Sequence, residues 1–102
     1  EAGKAQVADA YSRLAGARPG GMNNVTARMI GLDELRAELS GMDRAEQDQA
    51  LKALDRDPAV SILPEENQKT LTAADRAAAI RIGGKAYHLI SIEPDGVARL
   101  RR

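Results

Sequence analysis

The sequence predicts an α+β domain of three helices and a small antiparallel sheet, with an extra helix in the connection between two strands. Three observations point there. Apolar residues recur at helical spacing in four separate segments, two of which open on strong capping signals. Two short runs rich in branched residues, 59–63 and 85–92, read as strands. Glycine and proline punctuate the joins, so the elements are short and follow one another closely along 102 residues.

The first helix is expected over 4–16, "KAQVADAYSRLAG", where Val7, Ala10, Tyr11 and Leu14 fall at i, i+3, i+4 and i+7. Gly16 ends it. "ARPGGMNN" is a loop, because Pro19-Gly20-Gly21 sustains neither helix nor strand. In "VTARMIGL", Met29 and Ile30 lie near a short strand that leads into the next helix. There, in "LDELRAELSG", Leu32, Leu35 and Leu39 make the inward face. Asp33 and Glu34 suit the positive end of the helix dipole, and Ser40-Gly41 stops the helix.

"MDRAEQDQALKALDRDPAVSIL", residues 42–63, reads as a capped helix running into a strand. Asp43 caps, and Glu46, three residues on, reaches back to the cap's amide. Ala50, Leu51 and Leu54 form the core stripe, while Gln47 stands where the repeat calls for a hydrophobe. Asp57-Pro58 ends the helix, and Val60 and Ile62 share one strand face. Pro64 closes that strand or places it at an edge. A further helix is expected over "TLTAADRAAAIRIGG", from an N-cap at Thr72 to a C-terminus at Gly83-Gly84. "KAYHLISIEP" is expected as one strand ended by a Pro94-Asp95-Gly96 turn. "VARLRR" reads as a last short strand or a basic tail.

A hydrophobic content of 43% supports one domain over 1–102, with its core in about 5–93 and 94–102 as a possible tail. The chain begins at Glu1, which suggests excision from a longer protein. No apolar run approaches the ~18 residues of a membrane span, and no signal-peptide pattern opens the chain. Cysteine is absent, so disulfides and thiolate zinc sites are excluded and a cytoplasmic location is expected. Arginine outnumbers lysine and alanine is abundant, which points to a high-GC bacterial source. The 15 basic and 15 acidic side chains cancel, but unevenly. Residues 43–67 hold three basic against seven acidic; residues 68–102 hold seven against three.

The order helix, short strand, helix, helix, strand, connection, strand resembles the winged helix-turn-helix superfamily over about 5–93. The residues that carry the resemblance are "MIGLDELRAELSGMDRAEQDQALKALDRDPAVSIL". Two features depart from the family's usual form. Some two dozen residues, with an extra helix, replace the short wing loop, and the inward position at Gln47 is polar. The resemblance implies that the third helix enters the major groove, with its outward face at Arg44, Asp48, Gln49 and Lys52. Arg44 would contact guanine or phosphate, Gln49 adenine, and Lys52 phosphate. Asp43, Glu46 and Asp48 oppose this, since they meet the phosphates with the wrong sign. Arg76 and Arg81 on the inserted helix, with Lys69 and Lys85 flanking it, would extend the contact to the wing. Asp48 and Lys52, at i and i+4, otherwise form a solvated pair. The partner is therefore double-stranded DNA or, alternatively, another protein domain docking on the acidic third helix and long wing.

No enzyme chemistry is visible: no motif assembles a nucleophile, a base and an oxyanion site, so no catalytic residue is expected. His88 is the lone histidine, read as a structural or surface strand residue pointing opposite to Tyr87. Without a second His or Cys it makes no metal site. Glu65-Glu66 lack the ligand spacing of a hard-cation site and mark a polar turn. "RPGGMNN" and "RIGGKAY" lack phosphate-loop spacing. In "RIGGK" the Gly83-Gly84 amides and Lys85 are a conceivable anion cradle, though a helix end explains the glycines more simply. No cofactor is expected.

Overall fold

Tyr11 sits at the centre of the molecule, fully buried on the inward stripe of helix α1 (Ala2–Gly16). Its hydroxyl donates to the Arg28 carbonyl and lies 3.3 Å from the Ile92 carbonyl, so one side chain ties the helix to two segments far apart in the sequence. Burial raises its pKa above the ordinary value. The computed structural model describes residues 2–25 and 27–102.

Strand β1 (Ile30–Gly31) runs directly into helix α2 (Leu32–Ala37), followed by helix α3 (Arg44–Leu54) and strand β2 (Val60–Leu63). An inserted segment holds a 3-10 turn (Gln68–Thr70), helix α4 (Ala73–Ala78) and a hairpin of β3 (Ile80–Ile82) and β4 (Lys85–Tyr87). Strand β5 (Leu89–Ile92) and helix α5 (Pro94–Leu100) complete the chain. The result is an α+β fold with a three-stranded sheet in the order β1-β5-β2, antiparallel throughout. Val60, Ile62, Ile90 and Ile92 point inward by the two-residue repeat. They meet Val7, Tyr11, Leu35, Leu39, Leu51 and Leu54 in one continuous core. Leu35 of α2, Leu39 in the turn after it, and Leu51 and Leu54 of α3 thus share one core, as their spacing predicts.

Several expectations need correcting. Helix α4 stops at Ala78, short of the glycines, because Ile80 and Ile82 alternate as a strand and Ile80 is taken into the core. Gly83 and Gly84 are the two central residues of the β3–β4 turn, with φ of 61° and 82°. Positive φ at both positions gives the hairpin turn whose twist matches its strands, and glycine adopts it without strain. Neither a helix end nor an anion cradle is needed to explain them. Arg81 accordingly lies on β3 and not on a helix.

The long strand expected over 85–92 is two strands broken at His88. His88 is buried and makes three bonds there. Its amide donates to the Leu63 carbonyl, its carbonyl accepts from the Leu32 amide, and Nδ1 accepts from the Glu65 amide. β2 therefore pairs only with Leu89–Ile92. The Pro94-Asp95-Gly96 segment is no terminating turn: Pro94 opens α5 with its fixed φ, and the final segment is neither strand nor tail. Val97 is buried, Leu100 packs against the core, and α5 lies on α1. The described residues contain five α-helices rather than the three-plus-one expected.

Candidate nucleic-acid interface

Helix α3 begins as its sequence predicts. Asp43 accepts from the Glu46 amide at 2.8 Å, and Glu46 accepts from the Asp43 amide at 3.1 Å. Both carboxylates are thereby turned to the helix's own start, where the dipole favours them.

Gln47, the polar residue on the inward face, is 6% exposed and fully used. Its Nε2 donates to the Leu39 and Met42 carbonyls, and its Oε1 accepts from Arg36 Nη1 at 3.0 Å. It stitches the turn between α2 and α3. Arg36 continues the network through Nη2 to Asp48 at 2.8 Å and through Nε to the Ala78 carbonyl at 2.7 Å. Burial draws the pKa of the Arg36 guanidinium below its ordinary value, and its hydrogen bond to the Asp48 carboxylate works against that.

Arg44 lies on the other side of Asp48, with Nε at 3.3 Å from the carboxylate. Its Nη1 and Nη2 donate to the carbonyls of Ala77 and Ala79, each at 2.9 Å. Two arginines thus hold three successive carbonyls at the C-terminus of α4, the negative end of that helix. The expected Asp48–Lys52 pair does not form, because Asp48 is already held between Arg36 and Arg44.

This tie decides what reaches solvent on α3. Ala45, Gln49 and Lys52 are exposed at helical spacing, and Arg56, exposed in the following turn, continues it. Glu46, Asp48 and Asp55 flank that stripe, Glu46 engaged in the helix cap and Asp48 held between the two arginines. The Gln49 side chain makes no hydrogen bond within the described residues. On the inserted segment Lys69, Arg76, Arg81 and Lys85 are all exposed, and Lys85 sits 5.8 Å from the Tyr87 ring centre. Among the described residues none of Lys52, Arg56, Lys69, Arg76, Arg81 and Lys85 enters an ion pair. Arg13, Arg18, Arg36, Arg44, Arg99 and Arg101 do.

The structure brings Arg44 and Arg76 onto adjoining elements, since Arg76 immediately precedes the carbonyls that Arg44 holds, and Arg81 follows them by two residues. No bond brings Lys69 or Lys85 to α3. Sequence reasoning missed Arg36 and the three alanine carbonyls. A backbone acceptor leaves no trace in residue type, and the only available hint was the misplaced polarity of Gln47. Arg56 was missed as an outward residue because it lies past the helix end.

A shallow depression between α1 and α3 is lined by Lys4, Gln6, Glu46 and Gln49. Another, on the outward face of the sheet, is lined by Met29, Leu63, Leu89, Glu65 and Glu66. Among the described residues no group of three His, Asp or Glu side chains is placed to hold a metal ion. None of their helices is long and apolar enough to cross a membrane. No family model matches the chain, and no curated protein or solved structure matches it either.

Proposed function

We propose that the chain is a winged helix-turn-helix module of a larger bacterial protein that binds duplex DNA. In this reading α3 lies in the major groove and the inserted segment acts as the wing. The observation that carries the proposal is the division of the cations. Those on the outer stripe of α3 and on the inserted segment are exposed and, among the described residues, outside ion pairs. Lys4, Arg28 and Arg102 are outside them too, whereas Arg13, Arg18, Arg99 and Arg101 are held in ion pairs. The Arg44 tie supports the same reading, because it anchors Arg76 and Arg81 beside the start of α3. It also weakens the objection from the acidic residues: Asp43 and Glu46 serve the cap, and Asp48 is flanked by two arginines. In this reading Gln49 and Lys52, both exposed, face the groove. Arg44 becomes mainly a clamp, and Lys69, Arg76, Arg81 and Lys85 supply phosphate contacts. Titration of a labelled duplex at several salt concentrations tests the proposal. Binding should weaken steeply with salt, and Lys52→Ala should lower the slope of log K by about one. A dissociation constant that stays above ~100 μM at low salt ends it.

A second reading, a protein-docking module, is favoured by the outward face of the sheet. Met29 and Val25, four residues apart ahead of β1, are the exposed large hydrophobics among the described residues. Met29 joins Leu63 and Leu89 in a groove edged by Glu65 and Glu66. Light scattering over a concentration series and mixing with the parent protein's other domains test it. A strict monomer that ignores those domains removes it.

A further inference from the structure

We infer that the chain pairs with a second copy of itself, each copy's β3–β4 tip seating in the groove on the outward face of the other's sheet. The inference rests on the protein-docking reading and gives it a partner. The groove has an apolar floor and an acidic rim. Leu63 and Leu89 lie opposite each other on β2 and β5, and their neighbours Ile62 and Ile90 point into the core, so the two leucines face away from it. Both are half-buried; Met29 beside them is 37% exposed, and Pro64, Glu65 and Glu66 form one edge. The Glu66 side chain is exposed and makes no hydrogen bond or ion pair among the described residues. Glu65 accepts from the Asn67 amide and pairs with no cation among them. Such a groove suits an aliphatic side chain with a cation next to it.

The same chain carries that combination. In the β3–β4 hairpin Ile82 lies opposite Lys85 and Ile80 opposite Tyr87, so these four side chains share one face. Ile80 is taken into the core, whereas Ile82, nearer the tip, is half-buried, and Lys85 across from it is exposed and outside ion pairs. Groove and hairpin adjoin, because β4 re-enters the sheet through His88, which holds the Glu65 amide and precedes Leu89. Adjoining patches of opposite character are self-complementary about a two-fold axis, where tip meets groove twice in one association. Groove against groove would gather carboxylates, and tip against tip would oppose lysines, so the crossed arrangement is the one that the charges favour. A stable interface takes about 800 Å² from each partner, roughly a seventh of the chain's 5913 Å². The groove alone offers far less, so the hairpin must be buried with it. Of the exposed cations this contact takes up Lys85 and leaves Lys52, Arg56, Arg76 and Arg81, so it does not depend on duplex binding.

The test is sedimentation equilibrium of the whole chain over a concentration series at low salt. We expect the wild-type chain to dimerise. Glu66→Lys and Lys85→Glu should each weaken the dimer at least ~10-fold, since each sets like charges against one another in both contacts. An equimolar mixture of the two variants should recover it, because the reversed groove then meets the reversed tip and the two unaltered halves meet each other. Both positions are exposed, so the variants fold, and circular dichroism checks that they do. A wild-type chain that stays monomeric at every concentration overturns the inference. Mixing that monomer with the parent protein's other domains then decides the docking reading separately: binding keeps it, and no binding removes it too. A dimer that neither variant weakens, or a mixture that stays monomeric, also overturns the inference, because the contact then lies elsewhere.

Discussion

Gln47 occupies a position where the helical repeat asks for an aliphatic side chain, and it is buried there without cost because each of its polar atoms is answered. Replacing it is not a routine core substitution. In Gln47→Leu the Leu39 and Met42 carbonyls lose their donor and Arg36 Nη1 loses its acceptor, so buried polar groups are left unmatched. The expected cost is about 2 kcal/mol, despite the gain in hydrophobicity. Urea denaturation measures it, and an unchanged or higher midpoint would show that the network contributes nothing. Sequence periodicity flagged this residue as an anomaly. It held no clue that the anomaly was a junction between two helices and an arginine.

At the scale of elements, legibility depended on how local the deciding interaction is. Capping boxes are local, so the starts of α3 and α4 lie where Asp43 and Thr72 place them. The end of α4 is not local. It is decided by Ile80 entering the core and by the arginines that hold the last carbonyls. The same holds for α5, which contains a glycine in its first turn and reads as a turn when taken alone. Gly96 is required there by close approach: a Cβ built on it would stand 2.4 Å from that of Ala59. Gly96→Ala should therefore push α5 off the segment before β2 and cost about 1–3 kcal/mol, although alanine is the better helix former. Thermal denaturation checks the sign, and stabilisation would mean that α5 does not dock as described.

Across the whole molecule, the C-terminus is fastened to the rest of the fold by paired charges. Arg99 grips Asp57 with two bonds of 2.7 and 2.8 Å, and Arg101 reaches Asp9 on α1. The Arg99 fork and the Ala59 amide hold the Asp57 carboxyl down at about 2. A carboxylate depressed in the folded state adds stability that is complete above its unfolded value near 3.8 and lost as pH falls through about 2. Stability should thus be insensitive to Asp57 above about pH 4 and should fall between about 4 and 2. Asp57→Asn should remove that part of the acid dependence. Urea midpoints across this range read the effect, and identical acid profiles for the two proteins would exclude the link. Pro58 and Pro64 bracket the edge strand β2, which limits how far another chain could extend the sheet.

The sequence by itself determined the class of fold, the inward leucines and the starts of the central helices. These follow from periodicity and from capping residues that act within one turn. Only the tertiary structure decided which charges remain available at the surface. Arg44 and Lys52 look alike in the sequence, yet the first is spent on the carbonyls of a helix thirty residues downstream and the second faces water. The acceptors that make this difference belong to the backbone. Every residue carries one, so their use is settled by where the chain folds back and not by which side chains it bears.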